Sequence, residues 1–189
     1  MIPSLDEVGH YLRGVWLLIR NDPAGMQYLD FSNRGFWRSF WAYFYMLPVY
    51  IYSWIDLRNV ILASDPQASP GLDFFLRQAA ESALTIATFL ALLALLSRPL
   101  GFSHRFGHWL IASNWYGLAF SYVLTAPQVL HRFMPESPLP ALLTFTLIIF
   151  SIWASFRVYR RVLADNAPVA IFIIAMEFGW VFLTYYLFG

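Results

Sequence analysis

Ser113-Asn114-Trp115-Tyr116-Gly117-Leu118-Ala119-Phe120-Ser121 decides the fold. It lies inside an apolar run from Trp109 to Ala126, too long and apolar for most soluble folds. Ser113, Gly117, Ser121 and Thr125 recur every four residues, so on a helix they form one narrow stripe of small side chains. In lipid, where apolar contact alone does not drive helices together, such stripes mark close backbone approach. Asn114 lies beside the stripe, and a bare amide facing acyl chains would be costly. The stretch therefore reads as the central helix of a bundle, with Trp109, Trp115 and Phe120 towards its other sides. Its simplest role is packing, with Asn114 satisfied internally.

Composition sets the class. The chain has 189 residues, 59% hydrophobic, 20% aromatic and 12% charged, whereas a soluble domain carries about a quarter charged residues. With its long apolar runs, it reads as an all-α integral membrane protein with most of its mass in the bilayer. A formal charge of +1 excludes a basic nucleic-acid surface. There is no Cys, which excludes disulfides, thiolate metal sites and Cys nucleophiles. Every basic residue other than His is Arg, a coding bias that fits a GC-rich bacterial genome and hence a bacterial inner membrane.

The first segment, residues 1–35, reads as a cytoplasmic amphipathic helix and connector. Asp6 and Glu7 stand where a signal peptide would carry positive charge. Ser4 and Glu7 form a capping box, and Arg13 and Arg20 follow the acids in the order that suits the macrodipole. Leu5, Val8, Leu12, Trp16 and Ile19 fall on one face, so the helix is expected to lie in the membrane interface. Gly9 and Gly14 weaken it in isolation.

Residues 36–189 read as a five-helix transmembrane bundle. Its spans are expected at about 36–55, 75–96, 106–126, 139–156 and 168–188, with Pro48 kinking the first. Residues 56–72 and 127–140 read as loops. Ala83, Ala87 and Ala91 give the second span its own small-residue stripe, the expected partner of Ser113, Gly117 and Ser121. With the N-terminus inside, nine arginines fall in inner segments and three (Arg58, Arg77 and Arg132) in outer ones. The positive-inside rule then puts the N-terminus in the cytoplasm and the C-terminus in the periplasm.

Glu177 is the sharpest single residue. Near the middle of the fifth span an ionised carboxylate costs about 2.5 kcal/mol or more, which makes it a functional candidate by default. The alternative is a neutral Glu hydrogen-bonded to a neighbouring helix. At ~1.5 Å per residue Glu177 lies about 13 Å in from Pro168, and Asn114 about 12 Å in from Phe106. The two are level, and Asn114 is the expected partner of Glu177. Thr88, Ser151 and Tyr45 fall near the same layer, which predicts one intramembrane polar cluster. His104 and His108 share a helix face but have no third ligand nearby, and no His pair suits haem. No metal or other cofactor and no catalytic pairing is expected.

Asn114-Trp115-Tyr116-Gly117-Leu118, followed by Thr125-Ala126-Pro127, resembles the glycine-tyrosine and downstream proline region of the third span in the Yip family. Gly35-Phe36-Trp37 is more loosely similar to that family's entry motif. Yip proteins interact with Rab-type GTPases in eukaryotes. The resemblance implies a cytoplasmic N-terminal segment, five spans and an outside C-terminus over nearly the whole chain. Two functions follow as expectations. The first is a non-enzymatic scaffold or accessory subunit that binds other membrane proteins, itself or lipid. The alternative is a small oligomeric transporter or channel using Glu177 and Asn114.

Overall fold

The computed structural model describes residues 2–65 and 67–188, without the side chains of Tyr185, Leu187 and Phe188. Pro66, half of an Asp65-Pro66 turn expected from the sequence, lies outside the described residues, as do the two terminal residues. Those described form helices joined by short turns, with no strand among them.

Helix α1, Leu5–Ile19, begins on a complete capping box. Glu7 N–H donates to Ser4 Oγ at 3.2 Å, and Ser4 N–H donates to Glu7 Oε2 at 2.8 Å. Asn21, at φ 66°, ends it in the left-handed region that Asn tolerates. A 3-10 turn, Pro23–Tyr28, then folds back on α1. The close approach explains a glycine inside the helix. A Cβ on Gly14 would sit 2.6 Å from Tyr28 Cβ, and one on Gly25 would sit 2.5 Å from the Gly14 carbonyl oxygen. Gly9, by contrast, faces open space.

The buried face of α1 is not the one expected. Val8, Tyr11, Val15, Leu18 and Ile19 are buried, whereas Leu5 and Trp16 stand exposed. The docked face is rotated by roughly 80° from the predicted one. The reason is a partner: α1 packs on α5 and α6, and the Tyr11 ring stacks on Trp115 at 4.5 Å.

The expected first span divides in two. Helix α2, Asn33–Ser39, starts on a Ser32 cap and stops before Phe40, and α3, Trp41–Ser64, takes over. The break falls at Phe40, while Pro48 lies inside an unbroken α3. Helix α3 also continues through much of the predicted 56–72 loop. Asp56 is paired there with Arg132 at 2.7 Å, and Ser64 Oγ donates back to the Val60 and Ile61 carbonyls.

Helices α4, Leu72–Ser97, and α7, Ala167–Phe188, lie close to their expected bounds. Helix α5, Phe106–Phe133, runs past Pro127, and α6, Leu139–Val162, runs past Phe156 to include all three terminal arginines. Ala164 and Asp165, both at positive φ, make the turn into α7, and Asp165 pairs with Arg160 and Arg161 at 3.3 and 3.1 Å.

Helix α5 is central, packing on α1, α2, α3 and α6. Trp109 and Trp115 on it are 1% exposed. Helix α7 packs on α6, and α4 is the most loosely held, tied to α7 by Trp180 Nε1 donating to Thr85 O at 3.1 Å. Three helices are long and apolar enough to cross a membrane: α4, α6, and α7 over Ala167–Thr184, with mean hydropathies of 2.0, 2.0 and 1.9. Their outward sides carry Leu76, Leu84, Phe145, Ile149, Val181 and Phe182 in the open, a surface far more apolar than a water-soluble monomer presents.

Candidate functional site

A cavity of about 360 Å³ lies among the five long helices, and each of them contributes to its wall. From α3 come Tyr43, Met46 and Tyr50; from α4, Ile86, Phe89 and Leu90. Helix α5 supplies Trp109, Ser113, Asn114, Tyr116, Gly117 and Ser121, α6 supplies Ser151 and Tyr159, and α7 supplies Glu177.

The stripe of small residues is what opens this space. Ser113, Gly117 and Ser121 line the cavity instead of meeting the alanines of α4. A Cβ on Gly117 would touch Met46 Cε of α3 at 3.6 Å, an ordinary contact. Ala83, Ala87 and Ala91 are exposed, the first two lining a separate groove against Phe40, Tyr43, Leu47, Tyr50 and Trp54 of α3. The expected packing of the two stripes is therefore corrected. Helix α4 stands off from α5, and small side chains without a facing ridge leave a hollow.

Glu177 does turn into the bundle. The Tyr159 hydroxyl donates to Glu177 Oε1 at 2.8 Å, so the carboxyl group is bonded to α6 and not to Asn114. Asn114 lines the same cavity, but its Nδ2 donates to Ser39 Oγ of α2 at 2.9 Å. Ser39 in turn donates to the Phe36 carbonyl at 2.8 Å, so the amide is satisfied through a short relay. Both Ser39 and Asn114 are buried, which makes this relay the polar link between α2 and α5.

Of the five residues expected in one polar cluster, Glu177, Asn114 and Ser151 line the same cavity. The other two do not. Thr88 is exposed and bonds back to the Leu84 carbonyl at 2.7 Å within its own helix. Tyr45 donates to the Pro3 carbonyl at 2.6 Å, holding the segment before α1 against α3. His104 lies in the turn before α5, and His108 stacks on Phe31 at 4.6 Å.

Aromatic rings complete the site: Tyr159 was not singled out in the sequence, and Trp109 and Phe120, expected on other sides of the helix from the small stripe, line the same cavity as Ser113, Gly117 and Ser121. Trp109 meets Tyr159 edge-on at 6.0 Å, Tyr159 meets Tyr116 at 6.1 Å, and Tyr116 stacks on Phe120 at 4.4 Å. Tyr116 donates to the Ser151 carbonyl at 2.6 Å, fixing its ring. The indole N–H of Trp109 is buried without an acceptor among the described residues. Glu177 is the one carboxyl group on the wall, and among the described residues no Arg or His lines it. The signal for Tyr159 was present: Ser155, Val158, Tyr159 and Val162 continue an apolar face past Phe156 at helical spacing.

No protein-family model, curated protein or solved structure matches this chain.

Proposed function

We propose that this chain is a non-enzymatic, five-span membrane protein of the small transporter or channel type, acting as an oligomer, with the central cavity as its solute site. One observation carries the reading: all five long helices line one hollow that holds a single carboxyl group and no basic side chain. A packing core of this size would be filled; a cavity with convergent polar groups among apolar walls is the usual form of a ligand site.

Two helices beyond the three most apolar join the bundle in this reading. Helix α5 has 28 residues, about 42 Å of helix, and α3 lies beside it, bound by Tyr122 donating to the Tyr45 carbonyl and by the Asp56–Arg132 pair. Their Tyr, Trp, Ser and Asn lower mean hydropathy because they face the hollow and one another. The Arg distribution supports an N-terminus in the cytoplasm of a bacterial cell and a periplasmic C-terminus. The five-span layout is also the one that the Yip resemblance implies, a kinship of architecture.

A second reading, the scaffold or accessory subunit, is favoured by a different surface. Leu5 and Trp16 of α1 stand 75% and 54% exposed, and Trp37 of α2 stands 71% exposed. Exposed apolar side chains on these two short helices suit lipid at the interface or another membrane protein. Reconstitution separates the two. Proteoliposomes containing the protein and a pH-sensitive dye should show proton or ion flux under an imposed gradient, and Glu177→Gln should abolish it. Wild-type vesicles as tight as empty ones would favour the scaffold.

A further inference from the structure

The wall of the cavity combines one carboxyl group with a set of aromatic faces. Glu177 stands on α7 beside Tyr159; Trp109 and Tyr116 each meet the Tyr159 ring, and Tyr43 and Tyr50 of α3 also line the cavity. An ionised carboxylate in this setting has no cationic side chain on the wall to pair with it. A carboxylate so placed demands a counter-cation or a proton.

Resting on the reading of this cavity as a solute site, we propose that it takes a small organic ammonium cation. Its charge sits against Glu177 and its alkyl groups lie against the rings of Trp109, Tyr116, Tyr43 and Tyr50. The chemistry selects this class over a metal ion. Hard cations take six or more oxygens, mostly carboxylates and carbonyls. Here Glu177 is the one carboxylate on the wall, and the Ser113, Ser121 and Ser151 hydroxyls are engaged with carbonyls of their own helices. Among the described residues no cluster of three acidic or His side chains occurs. Alkylated ammonium groups are weakly hydrated and are bound by aromatic faces. An anion would be repelled by an ionised Glu177, and a neutral apolar molecule would leave that group to take up a proton instead.

Binding to the full-length protein in nanodiscs, measured by calorimetry, tests this. The probes are choline and its neutral isostere 3,3-dimethyl-1-butanol, which share shape and differ in charge. Choline should bind saturably and the isostere about tenfold more weakly or worse. Glu177→Gln should erase the preference. Tyr50→Leu, on α3 and outside the Tyr159–Glu177 bond, should weaken choline several-fold while leaving the isostere nearly unchanged. A circular dichroism spectrum like that of wild type certifies each variant as folded. No saturable choline binding by folded wild type, equal binding of the two probes, or a preference that survives in Glu177→Gln overturns the proposal. The vesicle flux experiment is independent of it: proton flux lost in Glu177→Gln, with no choline binding, leaves the transporter reading standing and removes only the ammonium.

Discussion

The hydroxyl of Tyr159 donates to Glu177 Oε1 at 2.8 Å, and this bond joins the base of α6 to the middle of α7. Tyr159 is 2% exposed, and Glu177 is the hydrogen-bond partner of its hydroxyl. The pair fixes the one carboxyl group on the cavity wall.

Glu177→Gln keeps an acceptor for that hydroxyl and should change stability little. Glu177→Leu strands the Tyr159 hydroxyl in the interior and should cost about 1–2 kcal/mol. Thermal unfolding in mild detergent reads both, and a Glu177→Leu protein as stable as wild type would detach the bond from the fold. Tyr159→Phe provides the reciprocal arm of a double-mutant cycle.

Ser39 and Asn114 form the second buried polar link. Ser39→Ala leaves the amide of Asn114 without its acceptor, and a loss of about 1–3 kcal/mol is expected. The same melting experiment should show it, and Asn114→Leu in the Ser39→Ala background should recover part of the loss. A neutral Ser39→Ala would mean that the amide finds another partner.

Three glycines near the N-terminus should behave differently under one substitution. Gly9 faces open space, so Gly9→Ala should stabilise α1 by up to about 1 kcal/mol through helix propensity. Gly14→Ala and Gly25→Ala each drive a methyl group into the opposing chain and should cost about 1–3 kcal/mol. Equal effects at all three positions would show that the turn does not seat on α1 as described.

These glycines show how legibility varied along the chain. Capping at Ser4 and Glu7, the all-helical class and the centrality of α5 follow from local pattern, and local pattern is what a sequence displays. The docked face of α1 did not, because Leu5, Leu12 and Trp16 are as apolar as Val8, Val15 and Leu18 and only the presence of α5 and α6 chooses between them. Helix ends failed where a partner neutralises a charge: Asp56 looked like the start of a loop until Arg132 was beside it. The partner of Glu177 was missed for a related reason. Tyr159 lies beyond the expected end of the fourth span at 156, although the helix and its buried face run on unbroken to Val162. Depth along each helix was legible, and it brought Glu177, Asn114 and Ser151 to one wall. Rotation about each helix was not, which is why Thr88 and Tyr45 fell elsewhere.

Acid should loosen the N-terminal segment. The hydrogen bond from the Arg38 guanidinium holds the Glu7 carboxyl group below its ordinary value of 4.5, helped by the Ser4 backbone N–H. A carboxylate depressed in the folded state contributes stability that is fully present above that ordinary value and is lost as pH falls through the lower, folded one. Amide protection factors in α1, each referred to the intrinsic exchange rate at the same pH, should therefore fall on acidification below about pH 4.5, and Glu7→Gln should flatten that dependence. A profile unchanged by the substitution would contradict the role of this pair.

The central claim is that Glu177 borders a water-accessible hollow, apolar-walled with a few polar groups, inside a bundle whose outer faces meet lipid. Because the chain has no cysteine, single cysteines report their surroundings without background. Ser121→Cys and Ser151→Cys place a thiol on the cavity wall, and Phe182→Cys places one on the outward side of α7. In a reconstituted bilayer, a small water-soluble methanethiosulfonate should modify the first two and leave the third unreacted. Modification of Phe182→Cys with both cavity positions silent would contradict the account.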